Sequence, residues 1–363
     1  MKKILIMSEP QDNGWCWYRL TQFAKKSKEL GIADVQFIDY SLQGQQVIDL
    51  LKAADVYLTR LGSDLGQFID YRDKNHPDKL IFADMDDGLD AIDPYSDLYR
   101  TLGTKQFKHK DKWLWKDGES GFNLQENRNR VKRSKEALKR VDFAITTTLD
   151  LADYVTQYNE NVAVIPNAIN MDIFPPIKIE KPKDEIRILW SGGSTHFQDL
   201  MSIQNVVKKI MYKYENVHFY MLGVPFKAFF RDLPTNRVHT MGWIKPDGHG
   251  YRLATVGADI GITPINDTDF NRLKSSVKFY EHSALKVPTI SPNIPPYNRD
   301  IKDNFSGLLY NDNREFEKHL ETLINDSDKR SFIGENAYNY VKEFRNLEKI
   351  TREWVELLTQ SQK

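Results

Sequence analysis

The stretch from Lys178 to Gly193 decides the fold and reads Lys-Ile-Glu-Lys-Pro-Lys-Asp-Glu-Ile-Arg-Ile-Leu-Trp-Ser-Gly-Gly. Its first half, residues 178–185, is charged and contains a proline, which is typical of a linker. Its second half is a short apolar run that predicts a strand ending on two glycines. Because short strands alternate with helical patterns both before and after this stretch, we predict parallel sheets in two separate domains.

The predicted fold class is therefore α/β, with two doubly wound, Rossmann-like domains facing a cleft. We assign residues 1–177 to an N-terminal domain and residues 178–340 to a second domain, and 363 residues are enough for two full cores. Residues 341–363 predict a terminal helix that either packs back on the N-terminal domain or caps the second. Ligands of such folds bind outside the carboxyl ends of strands, so we expect the site in the cleft.

The composition excludes several classes of protein. Lys plus Arg and Asp plus Glu both number 51, so the net charge is zero and a uniformly basic nucleic-acid coat is excluded. The single cysteine, Cys16, excludes an internal disulfide framework. No stretch approaches the ~20 apolar residues of a membrane span. We expect a reduced, cytoplasmic protein without an integral membrane segment, and the sequence leaves its oligomeric state open.

The neutral charge is an average, because residues 104–140 hold 12 basic and five acidic residues, a net charge of +7. Aromatic side chains are interleaved with the basic ones, which suits a nucleic acid or another polyanion. The pattern equally suits a membrane surface that carries a lipid-linked acceptor. The remaining interpretation is a mobile, solvated insertion followed by one basic helix. The predicted acceptor-binding residues are Lys108, Lys110, Lys112, Trp113 and Trp115.

The run from Lys274 to Leu285 predicts a helix whose start suits an anion. Ser275 or Ser276 can cap it, since a serine hydroxyl accepts a free amide of the first turn. Lys274, Lys278 and Glu281 share one face at this spacing. Free amides, the helix dipole and two lysines suit a diphosphate, and Glu281 suits sugar hydroxyls. A solvated charged face with an incidental cap is the alternative.

Further candidates follow other predicted strands. Glycines after a strand let the backbone approach a phosphate, which singles out Ser191, Gly192 and Gly193, with Thr195, His196 and Asp199 just beyond. His196 and Asp199 have no third ligand nearby, so we predict no metal site. Gly14 and Arg19 follow the first strand, and we expect Arg19 to reach a diphosphate or an acceptor.

Three acids end another strand, where catalytic groups usually gather. They are Asp84, Asp86 and Asp87, and carboxylates this close together raise one another's pKa. Raised pKa values suit recognition of hydroxyls or removal of a proton from an acceptor. A loop rich in helix caps is the plainer alternative.

Taken together and in this order, the motifs resemble the retaining glycosyltransferases of the GT-B fold, family 4 in the usual classification. The run from Lys274 to Pro288 resembles their nucleotide-sugar site. Tyr18-Arg19, Asp86-Asp87 and the Gly-Gly-Ser-Thr-His-Phe-Gln-Asp run of residues 192–199 resemble a branch common in bacteriophage and bacterial gene clusters. The resemblance implies transfer of a sugar, with retention, from a nucleotide diphosphate donor such as a UDP-sugar. No further cofactor is required.

The resemblance also assigns roles. The second domain would hold the donor and the first would present the acceptor, either a hydroxylated base of phage DNA or a cell-envelope saccharide or lipid-linked sugar. The residues predicted to be catalytic are Asp86, Asp87, Asn271 and His196. The residues predicted to bind the donor are Gly14, Arg19, Ser191, Gly192, Gly193, Thr195, Asp199, Lys274, Ser275, Ser276, Lys278 and Glu281.

One position departs from the family pattern of two glutamates separated by seven residues. Glu281 matches the second, which in the family contacts the ribose, but the first falls on Leu273. Asn271 or Asp269 could supply the missing polar group to the sugar. The departure also supports a different class, a non-catalytic protein that binds sugar nucleotides or polyanions.

Overall fold

The computed structural model describes residues 1–8, 11–39, 41–62, 64–89 and 92–360, so the last three residues of the predicted terminal helix lie outside it. Two compact units divide the chain, one of Met1–Ala168 with Leu347–Lys363 and one of Ile169–Asn346. The boundary thus precedes the charged linker predicted at residues 178–185. The backbone amide of Ile169 donates to the Arg345 carbonyl at 2.7 Å, and both residues belong to the second unit.

A parallel sheet forms the centre of the first unit. The strands of this unit within the described residues are β1 (Lys3–Ile6), β2 (Asp34–Phe37), β3 (Val56–Arg60), β4 (Leu80–Asp84), β5 (Phe107–His109), β6 (Lys112–Trp115), β7 (Phe143–Thr146) and β8 (Val162–Val164). Strands β5 and β6 pair as an antiparallel hairpin, and the others form a six-stranded sheet in the order β2-β1-β3-β4-β7-β8. Apolar runs such as Val-Tyr-Leu in β3 are buried on both faces, as helices on both sides of a parallel sheet require.

The helices of the first unit connect these strands. A π-helical turn, Trp17–Thr21, joins the first two of them. The helices are α1 (Gly14–Cys16), α2 (Gln22–Glu29), α3 (Gln45–Ala53), α4 (Leu65–Asn75), α5 (Tyr99–Leu102), α6 (Leu124–Leu138) and α7 (Leu149–Thr156).

The second unit repeats the scheme with a different strand order. Its strands are β9 (Ile186–Gly192), β10 (Val217–Gly223), β11 (Val238–Met241), β12 (Ile260–Ile262), β13 (Thr289–Pro292) and β14 (Leu308–Tyr310). The described residues form one six-stranded parallel sheet in the order β11-β10-β9-β12-β13-β14, which is the 3-2-1-4-5-6 order of dinucleotide-binding folds. Its helices are α8 (Phe197–Lys213), α9 (Pro246–Ala254), α10 (Asp269–Arg272), α11 (Val277–Ala284), α12 (Tyr297–Asp300), α13 (Asn313–Asn325) and α14 (Ser327–Phe344).

The last helix, α15 (Leu347–Gln360), belongs to the first unit. Its Trp354 ring stacks on Phe23 of α2, with the ring centroids 5.6 Å apart, and both side chains are buried in the core under the first sheet. The chain therefore returns to its first unit after completing the second. In the part of the chain that the structure describes, each helix is too short or too polar to cross a membrane.

Candidate functional site

The strand order of the second sheet reverses between β9 and β12, the point where ligands of such sheets bind. A Cβ atom at Gly192 would lie 2.5 Å from the Trp190 ring, and one at Gly223, whose φ is +101°, would lie 2.3 Å from the Gly192 carbonyl oxygen. Both glycines are therefore required by packing. A Cβ at Gly193 would meet no described atom within 4 Å, so Gly193 is the glycine that leaves room for a ligand.

Two predicted segments 82 residues apart meet beside this loop. The Nε2 atom of His196 lies 2.7 Å from the Lys278 Nζ atom. The other ring nitrogen, Nδ1, lies 2.7 Å from the Asp199 Oδ2 atom. A neutral ring that donates from Nδ1 and accepts at Nε2 satisfies both contacts. The loop after β9 and the start of α11 are thereby linked through one carboxylate, one imidazole and one amino group.

Asp199 is itself held in place by the segment after β12. Its Oδ1 atom accepts the Asn266 backbone amide at 2.8 Å and lies 3.4 Å from the Asn271 side-chain nitrogen. That nitrogen also donates to the Asn266 carbonyl at 3.0 Å. The amide nitrogen of Asn271, predicted to serve the donor sugar, is thus occupied in orienting Asp199.

Burial dominates the protonation of this cluster. Desolvation and the nearby Lys278 lower the pKa of His196 to about 3, despite its hydrogen bond with Asp199. Desolvation and the nearby Lys274 lower the pKa of Lys278 to about 7. Burial alone would raise the pKa of Asp199, but the contacts with His196, the Asn266 amide and Lys278 together outweigh it, and the pKa lies below its usual value. At neutral pH the cluster holds a carboxylate, a neutral imidazole and an amine that readily changes its charge.

The start of α11 lacks the predicted cap. Ser276 is the residue before the helix, but its buried hydroxyl makes no capping hydrogen bond. Among the described atoms, Ser276 Oγ and Ser191 Oγ are buried without a hydrogen-bond partner. The amides of the first turn have no partner within the helix. Ser275 is half-buried just before them. The buried Ser276 hydroxyl and the amides of the first turn fit a ligand that carries several acceptor oxygens.

Lys274 and Thr195 border the same region. The Lys274 ammonium lies 4.3 Å from the centroid of the Phe270 ring, and the side chain is half-buried. Thr195 lies half-buried in the 3-10 turn between Ser194 and His196. Both are exposed enough to meet a ligand at the end of β9.

Glu281 lies one helical turn deeper than Lys278 and is 4% exposed. Its Oε1 atom is 3.4 Å from Nε2 of His249 on α9. Burial lowers the pKa of His249, but the Glu281 carboxylate outweighs this and raises the pKa above its ordinary value. Sequence reasoning missed His249, because no motif surrounds it and only the fold brings α9 to α11.

The first unit has a cavity of about 690 Å³ at the carboxyl ends of β3 and β4. Its polar lining includes Arg60, Asp64, Asp84, Asp86, Asp87 and Arg130, and its remaining walls are largely apolar. Burial and the neighbouring Asp87 raise the pKa of Asp86 to about 7, although Arg60 opposes the shift. The expectation of raised pKa values at this strand end is therefore confirmed for Asp86.

Arg19 requires a correction. Its guanidinium group is fully buried and forms two hydrogen bonds to the Asp84 carboxylate, at 2.9 and 2.8 Å. A further nitrogen donates to the Ile165 carbonyl at 2.7 Å and to Asn167 Oδ1 at 3.0 Å. With all three nitrogens bonded inside the first unit, Arg19 is structural and not a donor-binding residue. Gly14 lies exposed at the start of α1, and its predicted role stays a prediction.

The basic segment forms an ordered hairpin followed by α6, and its two tryptophans differ. Trp113 is 45% exposed, with the Lys108 ammonium 4.4 Å from its ring centroid. Trp115 is 8% exposed, packs against Tyr99 and Phe122, and donates its indole hydrogen to the Pro94 carbonyl at 2.5 Å. The predicted stacking role of Trp115 is therefore wrong, since the ring forms the core of the insertion.

Charged side chains on the hairpin and on α6 differ in the ion pairs that they form. Arg133 pairs with Glu126 at 2.9 Å, Lys139 with Glu136 at 3.0 Å and Arg140 with Asp70 at 2.6 Å. In the described residues, the exposed hairpin lysines 108, 110 and 112 have no acidic partner within 4.0 Å. The hairpin therefore presents a cluster of three positive charges to solvent.

No known protein-family model matches the sequence, and no curated protein matches it. Solved structures, in contrast, are similar to this chain. A glycosyltransferase from Rickettsia africae is 15% identical with a TM-score of 0.68, covering 99% of this chain and 98% of that one. Sucrose-phosphate synthase from Thermosynechococcus elongatus is 14% identical with a TM-score of 0.67, covering 99% of both. Anabaena HepE in complex with UDP is 12% identical with a TM-score of 0.63, covering 99% and 100%.

These neighbours are two-domain GT-B glycosyltransferases, and at such identities the likeness establishes the fold. The predicted fold class, α/β with two Rossmann-like domains, is confirmed. The finer resemblance, to family 4 and to a phage-associated branch, stays a prediction. Among the described residues, no group of three or more His, Cys, Asp or Glu side chains is arranged to hold a metal ion.

Proposed function

We propose that this chain transfers a sugar from a nucleotide diphosphate sugar, a UDP-sugar, to an acceptor hydroxyl. The observation that carries the proposal is the meeting of Lys278, the uncapped start of α11 and the buried Glu281 at one strand end of the second unit. Crystal structures of a fold neighbour, Anabaena HepE, contain UDP and UDP-glucose.

In this proposal, the second unit binds the donor. Lys274, Lys278 and the first amides of α11 hold the diphosphate, and Gly193 leaves space for it. Their positive potential stabilises the diphosphate as the glycosidic bond breaks, which lowers the barrier. Glu281 accepts hydrogen bonds from sugar hydroxyls. Retention of configuration rests on the family 4 resemblance, with the acceptor attacking the face that the diphosphate leaves.

For the acceptor we favour a saccharide bound in the cavity of the first unit. Its volume of about 690 Å³ is typical of small-molecule sites. Carboxylates at Asp86 and Asp87 suit sugar hydroxyls, and apolar walls suit the C–H faces of a sugar ring. A carboxyl group with a pKa of about 7 can accept a proton from an attacking hydroxyl near neutral pH.

The hairpin favours a second candidate acceptor, a hydroxylated base in DNA. Its exposed lysines 108, 110 and 112 suit phosphates, and the exposed Trp113 suits a base. The test is duplex DNA binding at rising salt, with all three lysines changed to Gln. The matched control changes three exposed lysines elsewhere, Lys74, Lys318 and Lys342, to Gln.

Each of the two acceptors predicts a different result. A DNA acceptor requires binding that weakens steeply with salt and is lost in the hairpin variant but kept in the control. Absence of binding at low salt removes DNA and leaves the saccharide.

The deciding experiment for the donor is a thermal-shift screen of nucleotide sugars. A ligand at about 100 times its dissociation constant adds about 2.7 kcal/mol to the free energy of unfolding, enough to identify the donor nucleotide and sugar. The hit is then incubated with the protein and slow donor hydrolysis is followed. Binding without turnover, with or without acceptor, supports the non-catalytic alternative that Leu273 suggests. A protein stabilised by none of the panel contradicts the proposed function.

A further inference from the structure

The contact between Lys278 and His196 joins two basic groups through a single hydrogen bond. Their nitrogen atoms are 2.7 Å apart, so one must donate and the other must accept. The accepting nitrogen carries no proton, so the pair holds at most one positive charge, and Lys278 can donate either as an amine or as an ammonium. Asp199 fixes which ring nitrogen accepts, because its carboxylate binds the opposite side of the ring at 2.7 Å.

An anion bound at the start of α11 would change the protonation of the Lys278–His196 pair. Lys278 is the second residue of α11, and its ammonium is the group that the unfilled helix start would share with a diphosphate. The other titratable groups facing Lys278 are Lys274, Asp199, Glu281, His249 and His282. Lys274 disfavours a proton on Lys278, whereas Asp199 and Glu281 favour it. A doubly charged diphosphate adds more negative charge than either carboxylate.

We propose that Asp199, His196 and Lys278 form a protonation switch, in which Lys278 takes up a proton from solution when a donor diphosphate binds and turns from His196 to the phosphate. The inference rests on the proposed function. The step adds one N–H bond at Lys278 Nζ, the proton comes from water or buffer, and no covalent bond of the donor changes. His196 and Asp199 act through Lys278 and are positioning residues.

The switch predicts tighter donor binding at lower pH. The pKa of Lys278 in the free protein is about 7, and the bound diphosphate raises it. Between about pH 7 and the raised pKa the bound state carries more protons than the free state, so the dissociation constant increases with pH by up to about tenfold per unit. An arginine stays charged throughout this range, so Lys278→Arg gives a flat profile.

The experiment is calorimetric titration with UDP-glucose at about pH 8 in two buffers of low and high ionisation enthalpy, whose difference in heat gives the protons taken up. Both phosphates of UDP-glucose are esterified, so the ligand adds no titration of its own, unlike a phosphate monoester with its pKa near ~6. Should UDP-glucose give no heat, the best nucleotide sugar of the thermal-shift panel replaces it.

We expect uptake of up to about one proton by the unaltered protein and by Lys286→Arg, an exposed lysine paired with Glu335, and almost none by Lys278→Arg. In His196→Asn we expect less uptake and a pH profile displaced from that of the unaltered protein, with the thermal midpoint checked for folding. Binding without proton uptake overturns the switch and leaves the proposed function standing. Undiminished uptake in Lys278→Arg also overturns it, and a protein that binds no nucleotide sugar overturns both.

Discussion

The carboxyl ends of the two parallel sheets gather different ionisable groups on similar scaffolds. In the first unit the strand end gathers Asp84, Asp86 and Asp87, and in the second it gathers Lys278 beside His196. Burial is the largest influence in both, raising the pKa of Asp86 to about 7 and lowering that of Lys278 to about 7. Burial therefore shifts the pKa of a carboxyl group and that of an amine in opposite directions, and both reach about 7 here.

The two ends differ in how the remaining charge is compensated. Asp84 is paired with a fully buried arginine, Arg19, whose guanidinium forms two bonds to it. The Lys278 amino group instead meets a neutral imidazole, and the Asp199 carboxylate lies behind that ring. A complete ion pair stabilises the fold, whereas an incompletely compensated cation remains available to a ligand. We therefore expect substitutions in the first unit to affect stability most and those in the second to affect binding.

The largest expected effect is on stability, from Arg19→Ala. Removing one partner of a buried pair leaves Asp84 charged and unpaired, so we expect a loss of about 3–5 kcal/mol in the free energy of unfolding. Urea denaturation followed by tryptophan fluorescence measures it. The control is Arg60→Ala, an exposed arginine that lies 4.3 Å from the Trp15 ring centroid and should cost less than about 1 kcal/mol. Equal losses of unfolding free energy in the two variants would contradict a special contribution of the Arg19–Asp84 pair to the stability of the first unit.

The next effect is on donor binding, from Glu281→Gln. Hydrogen bonds to a charged group contribute about 1.5–3 kcal/mol, so we expect donor affinity to fall about 10- to 100-fold. Calorimetric titration of the donor identified by the thermal-shift screen measures the change. Glu335→Gln, which removes an exposed glutamate paired with Lys286, should leave the affinity unaltered. Full affinity and a full transfer rate in Glu281→Gln would remove Glu281 from the site.

The smallest effect is the pH dependence of stability at Asp86. Its pKa is about 7 in the folded chain and ~3.9 in the unfolded chain, so the folded state binds more protons between these values. Stability from this group is therefore highest at low pH and falls as the pH rises through about 4 to 7. Asp86→Asn should gain on the order of 1 kcal/mol over the unaltered protein at about pH 8 and nothing near pH ~4.

Unfolding curves at several pH values measure this gain. The matched variant is Asp111→Asn, at an exposed position in the hairpin turn. A pH-independent difference for Asp86→Asn would contradict the shifted pKa, and with it the symmetry between the two strand ends.

Much of the fold could be predicted because apolar strands and turn glycines are local signals. The strand at Ile186–Gly192 belongs to this class, whereas the return of the terminal helix to the first unit was one of two open alternatives. The π-helical turn at Trp17–Thr21 was not predicted, since its wider hydrogen bonding leaves no signature in apolar spacing. The division between Ala168 and Ile169 has no such local signal, since the hydrogen bond between Ile169 and Arg345 joins two backbone groups.

The site was predicted less completely, because its decisive contacts are distant in sequence. Nothing near Arg19 indicates that Asp84, 65 residues later, will bury it. The contact between His196 and Lys278 likewise cannot be predicted from the sequence, because the two residues are 82 positions apart. Trp113 and Trp115 are two residues apart in one strand. The alternation of side chains along a strand predicts that both lie on the same face of the hairpin. The register shifts opposite Phe107 and Lys108, which leaves Leu114 as an extra residue between the two tryptophans, and only Trp115 is buried.

The return of α15 to the first unit has a consequence for synthesis on the ribosome. The ring of Phe23 is covered by Trp354, which is translated roughly 330 residues later. At about 5–20 residues per second, this apolar surface is translated on the order of 15–65 seconds before the tryptophan that buries it. Ile169–Asn346 is continuous in sequence and has all its residues before the chain ends. The unit made first is therefore the unit completed last, and its nascent form is the one that most needs protection from aggregation.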